Sequence, residues 1–200
     1  MKFIIATNNP KKLGEIERIL TPLGIEAVSA KDAGIKLENV EENGSTFAEN
    51  AYLKAYSAYK SIGMAAIADD SGLSVDALDG APGIYSARYA GENASDVERI
   101  QKLLSELKNV KACDRTAHFT CSICCIMPNG DTVRAEGICD GSIAFAPKGK
   151  DNFGYDPVFL YKGKTFAEMN CEEKDAVSHR GIALRKLRLE LIKYLEDNDA

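Results

Sequence analysis

The chain contains no apolar run approaching the roughly 20 residues that a membrane-spanning helix needs, so it offers no transmembrane candidate. It lacks a basic surplus: 25 Lys and Arg stand against 30 Asp and Glu, for a net charge of −5. An extended nucleic-acid groove requires the opposite balance, whereas a small anion held by a few focused cations does not. The expected partners therefore include no nucleic-acid polymer and no membrane. Low-complexity tracts, long linkers and internal repeats are also missing. The opening Met1-Lys2-Phe3-Ile4-Ile5-Ala6-Thr7 is too short for the apolar core of a secretory signal and runs into polar residues. It reads as a first strand. A cytoplasmic location is the expectation, and with it reduced cysteines rather than disulfides.

With 200 residues, 45% hydrophobic and 28% charged, and a mean hydropathy of −0.21, the chain suits one soluble domain over residues 1–200, with room for two lobes. Strand signals alternate with helix signals, which points to an α/β fold. Lys11 to Leu23 carries Leu13, Ile16, Ile19, Leu20 and Leu23 on one helical face, with Pro10 in the first turn and Gly24 as the stop. Capping-box patterns at Thr46-Phe47-Ala48-Glu49 and Ser95-Asp96-Val97-Glu98 open two more helices. The first of these runs through Ala51, Leu53, Ala55 and Ala58, the second through Ile100, Leu103, Leu104 and Leu107. Strands near 115–127 and 131–142 flank Pro128-Asn129-Gly130, a hairpin signal that makes the sheet mixed. A last helix starts near Ser178 and packs through Leu184, Leu187, Leu191 and Leu195.

His118, Cys121, Cys124 and Cys125 have the look of metal-ligand spacing. Their segment reads as a strand, however, and a strand sends side chains three apart to opposite faces. His118 and Cys124 would face one way and Cys121 the other, so these cysteines belong to the sheet faces rather than to one zinc ion.

The richest segment is Ala68-Asp69-Asp70-Ser71-Gly72-Leu73. It follows Met64-Ala65-Ala66-Ile67, read as a short buried strand with two carboxylates at its exit. Aspartate is disfavoured in strands and adjacent like charges repel. Either a divalent cation or a reaction needing a carboxylate sits there, or the strand ends in a solvated turn. Thr7-Asn8-Asn9-Pro10-Lys11-Lys12 lies where a strand meets a helix N-terminus, whose free N–H groups and dipole suit a phosphate chain. It is not a Walker A loop, and many α/β proteins open this way with no ligand. Glu41 and Glu42 offer carboxylates to magnesium together with Asp69 and Asp70, or form a solvated turn. His179 and Arg180 stand at the positive end of a helix dipole, which favours anions. They either meet an anion or carbonyl oxygen or pair with acids such as Asp175. The Phe153-Gly154-Tyr155-Asp156 loop presents a face for a planar base, or folds back onto the core. Taken together these are phosphate donors, magnesium carboxylates, a stacking face and a cationic base reader, the parts of a nucleoside triphosphate site.

At this point the chain resembles the inosine/xanthosine triphosphate pyrophosphatases, over almost its whole length. The resemblance rests on Ala6-Thr7-Asn8-Asn9-x-x-Lys12, Thr46-Phe47-x-Glu49-Asn50-Ala51, Ala68 to Leu73, Gly80-Ala81-Pro82-Gly83-Ile84-Tyr85-Ser86-Ala87-Arg88-Tyr89, Phe153-Gly154-Tyr155-Asp156-Pro157, and Glu172-Glu173-Lys174 with Ser178-His179-Arg180, all in order. Asn8 stands where members often carry glycine. The resemblance implies a homodimer of α/β protomers, each with a curved mixed central sheet flanked by helices and two lobes with a cleft between them. It also implies Mg2+-dependent hydrolysis of ITP, dITP and XTP to the monophosphate and pyrophosphate. By motif position Asp70 would be the catalytic carboxylate and a magnesium ligand, with Glu41 the second ligand. Thr7, Asn8, Asn9, Pro10, Lys11 and Lys12 would hold the phosphates, Lys12 also assisting catalysis. Ser71, Phe153, Gly154, Tyr155, Asp156, Lys174, His179 and Arg180 would contact the nucleotide. Two rival expectations are an enzyme of the related septum-inhibitor type acting on modified pyrimidine triphosphates, and a nucleotide sensor without catalysis.

Overall fold

The computed structural model describes residues 2–7, 9–35, 40–150 and 153–198, except for the side chain of Leu23. Its strands are β1 (Lys2–Ile5), β2 (Glu26–Ser29), β3 (Ala66–Val75), β4 (Thr116–Ile126), β5 (Thr132–Ile143), β6 (Phe159–Tyr161) and β7 (Lys164–Thr165). The helices are α1 (Pro10–Leu20), α2 (Phe47–Ile62), α3 (Asp96–Glu106), α4 (Cys171–Val177) and α5 (His179–Asn198). All seven strands form one sheet in the order β2-β1-β3-β4-β5-β6-β7. β1 pairs in parallel with β2 and β3, whereas β6 pairs antiparallel with β5 and β7, so the sheet is mixed, as expected. The Asn-Gly turn joins β4 to β5 with Gly130 at φ 90° and the Asp131 N–H donated to Asn129 Oδ1 at 3.1 Å.

Contacts divide the chain into two compact units: 1–70, 121–137 and 179–200, and 71–120 with 138–178. Unit 1 is layered. α1 and α5 bury Ile16, Leu20, Ala183, Leu184, Leu187 and Leu191 with Phe3, Ile5 and Ile67. α2 lays Ala51, Ala55 and Ala58 with Ala66 and Ala68; small residues in both elements let their backbones approach closely. Along β4, Cys121 and Cys125 join the first of these clusters and Cys124 the second. That is the alternation expected of a strand. Unit 2 has its own core of Leu73, Val75, Ile100, Leu103 and Leu107 with the ring cluster Phe119, Phe159 and Phe166.

Local chemistry explains the helix ends. Asn9 caps α1 by accepting from the Lys11 and Lys12 N–H groups, and Pro10 fills the first position. α1 stops at Leu20, and a 3-10 turn over Thr21–Leu23 carries the chain to Gly24, at φ 76°. Thr46 caps α2, but Glu49 reaches back to Ser45 rather than to Thr46, so the expected box is shifted by one residue. Ser95 and Glu98 close the full box on α3. The expected last helix is α5, which starts at His179; the short helix α4 precedes it, and Ser178 turns extended (ψ 154°) between the two. Leu53 and Leu195 are not buried, because the core-facing stripes of α2 and α5 pass beside them.

Gly137 on β5 has no room for a side chain: an added Cβ would lie 2.2 Å from the His179 carbonyl oxygen and 2.5 Å from the Ala183 nitrogen. The first turn of α5 rests on that glycine. Gly137→Ala should therefore destabilise the protein by about 1–3 kcal/mol, read from urea unfolding. A second expectation concerns the thiols. Cys121, Cys124, Cys125 and Cys139 are buried and Cys113 and Cys171 exposed, and burial pushes the Cys139 thiol up to about 11. Titration with a thiol reagent should count two fast thiols in the native protein and six in denaturant.

Candidate active site

β3 does not end at Ile67. It continues through Asp69 and Asp70 to Val75, and both carboxylates are buried, 3% and 6% exposed. The expectation of two like charges side by side at a strand exit is therefore corrected. Side chains alternate along a strand, so the two aspartates leave opposite faces. Asp69 follows Ile67 toward α1 and α5; Asp70 follows Ala66 and Ala68 toward α2.

Each finds its own cations. Asp69 Oδ2 accepts from Lys12 Nζ at 3.1 Å and from Arg180 Nη2 at 3.2 Å and Nε at 3.4 Å. Arg180 Nη1 also donates to Glu15, so this guanidinium sits between two carboxylates inside unit 1. Burial disfavours its charge, but Asp69 and Glu15 outweigh burial and raise its pKa. On the other face Asp70 Oδ1 accepts from Lys54 Nζ at 2.8 Å and Oδ2 from Asn50 Nδ2 at 3.3 Å. Lys54 also reaches Glu42 Oε1 at 3.3 Å. Burial raises the Asp70 carboxyl above the ordinary carboxylate value, against the pull of Lys54 and Lys12. Burial works against the Lys54 charge too, yet Asp70, Asp69 and Glu42 prevail and raise it.

Among the expected phosphate residues, Asn8 lies outside the described residues. Thr7 Oγ1 accepts the Asn9 N–H at 3.2 Å. Asn9 spends its side-chain Oδ1 on the Lys11 and Lys12 N–H groups, two of the donors expected to meet phosphate. Pro10 and Lys11 are exposed at the start of α1, and Lys12 is half-buried at Asp69. Of the loop glutamates, Glu42 meets Lys54, while Glu41 is exposed.

The remaining expected residues gather in unit 2, His179 and Arg180 excepted. Lys174 Nζ lies 2.6 Å from Asp156 Oδ2 and 5.1 Å above the Phe153 ring, with both ionised groups buried. Gly154, at φ 56°, donates its N–H to Asp96 Oδ2 at 2.9 Å. Tyr155 is buried, and its hydroxyl donates to the Ser86 carbonyl at 2.9 Å. Ser71 is half-buried on β3, and His179 is buried at the start of α5. Of the two alternatives for Arg180, an anion or nearby acids, the structure shows acids: it pairs with Asp69 and Glu15.

Sequence reading missed Lys54, Asn50 and Glu15. A signal existed for two of them: Asn50 and Lys54 are one helical turn apart, so they share a face, and a buried asparagine followed by lysine on an otherwise alanine-lined face is out of place. Glu15 carried no such mark. Among the described residues, no cluster of three or more His, Cys, Asp and Glu side chains is arranged as a metal site, and no helix is long and apolar enough to cross a membrane.

The fold is a mixed α/β sheet in which an interior strand, β3, holds two buried carboxylates against lysines from α1 and α2. The chain belongs to the Ham1 family, which it matches over residues 3–190. It is 49% identical over 198 residues to the dITP/XTP pyrophosphatase of an Exiguobacterium species, covering 98% of this chain and 100% of the relative. Against the dITP/XTP pyrophosphatase of Bacillus subtilis the identity is 48%, over 92% of this chain and 93% of that one. Its fold superimposes on a HAM1 protein from Coxiella burnetii with a TM-score of 0.85 at 42% identity, covering 96% and 99% of the two chains.

Replacing Arg180 with methionine would remove the guanidinium shared by Asp69 and Glu15 on the α1/α5 face, leaving Lys12 on Asp69. Arg180→Met should cost about 3–5 kcal/mol in urea unfolding; a loss under about 1 kcal/mol would mean that other groups neutralise both acids.

Proposed function

We propose that this chain is a nucleoside triphosphate pyrophosphatase that hydrolyses ITP, dITP and XTP to the monophosphate and pyrophosphate. The observation that carries the reading is the buried Asp70 carboxylate, fixed between Lys54 and Asn50 at the end of the unit 1 part of β3. A buried carboxylate whose pKa burial has raised is a candidate catalytic group. The names of the relatives support the same reading.

The donors suit magnesium, a hard cation that takes carboxylate oxygens. Each Asp70 oxygen accepts one of the hydrogen bonds described above, and a carboxylate oxygen has lone pairs for more than one partner. We assign Asp70 and Glu41 as the protein ligands. When bound, the ion would neutralise phosphate charge and lower the pKa of a coordinated water. Asp70 orients the attacking water toward the α-phosphorus and takes its proton. Lys54 and Asn50 hold that carboxylate still. Lys12 balances charge on the leaving pyrophosphate. Phe153 supplies a stacking face and Lys174 a buried cation for the nucleotide. With its guanidinium fixed by Asp69 and Glu15, Arg180 acts by positioning. Selection for a 6-carbonyl over a 6-amino group then falls to His179 and backbone N–H donors, and buried donors left unpaired discriminate by up to roughly 10⁴. The enzyme works as a homodimer in the cytoplasm.

Steady-state turnover of ITP, dITP, XTP, ATP, GTP and a modified UTP, with and without magnesium, tests this directly. Inosine and xanthosine triphosphates should be preferred over ATP, with activity lost on chelation. Preference for the pyrimidine substrate would favour the septum-inhibitor type, and no pyrophosphate release would favour a sensor. Asp70→Asn should lower kcat by about 10²–10⁴. Glu41→Gln should raise the magnesium requirement more than Glu42→Gln does.

A further inference from the structure

One side chain gathers several hydrogen bonds of unit 2 that the proposed chemistry leaves unused. Asp96 is the first residue of α3, a helix already capped by Ser95 and Glu98. Its Oδ2 accepts the Gly154 N–H at 2.9 Å, across 58 residues of chain, and its Oδ1 accepts from Arg99 Nη2. Arg99 Nη1 donates onward to the Ala87 carbonyl. The preceding carbonyl, that of Ser86, takes the Tyr155 hydroxyl, and the Ser86 hydroxyl accepts the Leu73 N–H of β3 at 2.9 Å. Both ends of the Gly154-Tyr155 dipeptide are thus tied to the segment at 86–99. Gly154 is in the left-handed region at φ 56°, where the chain turns sharply enough to aim its N–H at α3.

We propose that Asp96 is a positioning residue for nucleotide binding. By holding the Gly154 peptide it fixes the neighbouring Phe153 ring under Lys174, ready for a purine. The inference rests on Phe153 receiving the base. A carboxylate suits the task because its two oxygens serve two donors at once, the loop peptide and Arg99. The bond to Gly154 is charge-assisted, which makes it stronger than one from a neutral acceptor.

The test compares Asp96→Ala and Asp96→Asn in the wild-type and Phe153→Ala backgrounds. Asp96→Ala should raise KM for ITP about tenfold or more, with kcat within about threefold. Asp96→Asn keeps an oxygen for the Gly154 N–H and should recover most of that loss. In the Phe153→Ala background the same substitution should add less than about twofold, because the ring it positions is gone. The Gly154 amide should exchange faster with solvent in Asp96→Ala, a readout independent of turnover. An unchanged KM, an equal factor in both backgrounds, or a fall in kcat alone overturns the proposal. Normal ITP turnover with unchanged Gly154 exchange in Asp96→Ala rejects the anchor and spares the substrate reading. Faster exchange in a protein that turns over no purine triphosphate rejects the substrate reading, and Asp96 is then an anchor of the loop only.

Discussion

Two carboxylates in the middle of a buried strand are tolerable only if each has its own cations. β3 meets that constraint by geometry. Its pleat sends Asp69 to one face and Asp70 to the other, and a lysine and an arginine on the first face and a different lysine on the second arrive to meet them. Much of unit 1 follows from this. α1 has to place Lys12 and Glu15 on the Asp69 face, α5 has to carry Arg180 in its first turn, and α2 has to bring Asn50 and Lys54 one turn apart. A buried ion pair contributes little net stability but is costly to break, so these contacts serve to specify where the helices lie.

The two faces divide the labour. On the α1/α5 face Asp69 and Glu15 are matched by Arg180, and Lys12 reaches Asp69 from the start of α1. On the α2 face Asp70 keeps capacity for a further cation, and burial holds its proton affinity above that of a surface carboxylate. Adjacent residues of identical chemistry thus acquire different roles from the environments to which the strand delivers them. Arg180 shows the same logic. A guanidinium at the positive end of a helix dipole is out of place until Asp69 and Glu15 are seen to compensate it. Close packing of Gly137 beneath α5 sets where that first turn begins.

Unit 2 uses glycine and carboxylate in another way. Its loop at 153–156 carries two aromatic rings and one buried acid; the Gly154 N–H is held by Asp96 and the Tyr155 hydroxyl by the Ser86 carbonyl. Lys174 lies over the Phe153 ring from α4, a helix capped by Asn170 and Glu173. The Glu172-Glu173-Lys174 run therefore contains a cap as well as a ligand candidate, and the two functions could not be separated by inspecting the string of letters.

Local signals along the chain were enough for much of this. Apolar spacing, Pro10, Gly24, the Ser95–Glu98 box and the Asn129-Gly130 turn determine helices, caps and a hairpin because each is a matter of nearest neighbours. The alternation of His118, Cys121 and Cys124 placed those side chains on opposite sheet faces for the same reason. Ordered motifs also marked the candidate site, with Asp70, Lys12, Phe153 and Lys174 among them. Pairing was decided only by tertiary structure. That β3 runs on through its aspartates, that Arg180 answers Asp69 and Glu15, and that Lys54 rather than Lys12 sits on Asp70 depend on residues tens to more than a hundred positions away. A charge buried in a strand is unfavourable by every local measure, and only the folded chain brings the opposite charge that makes it possible.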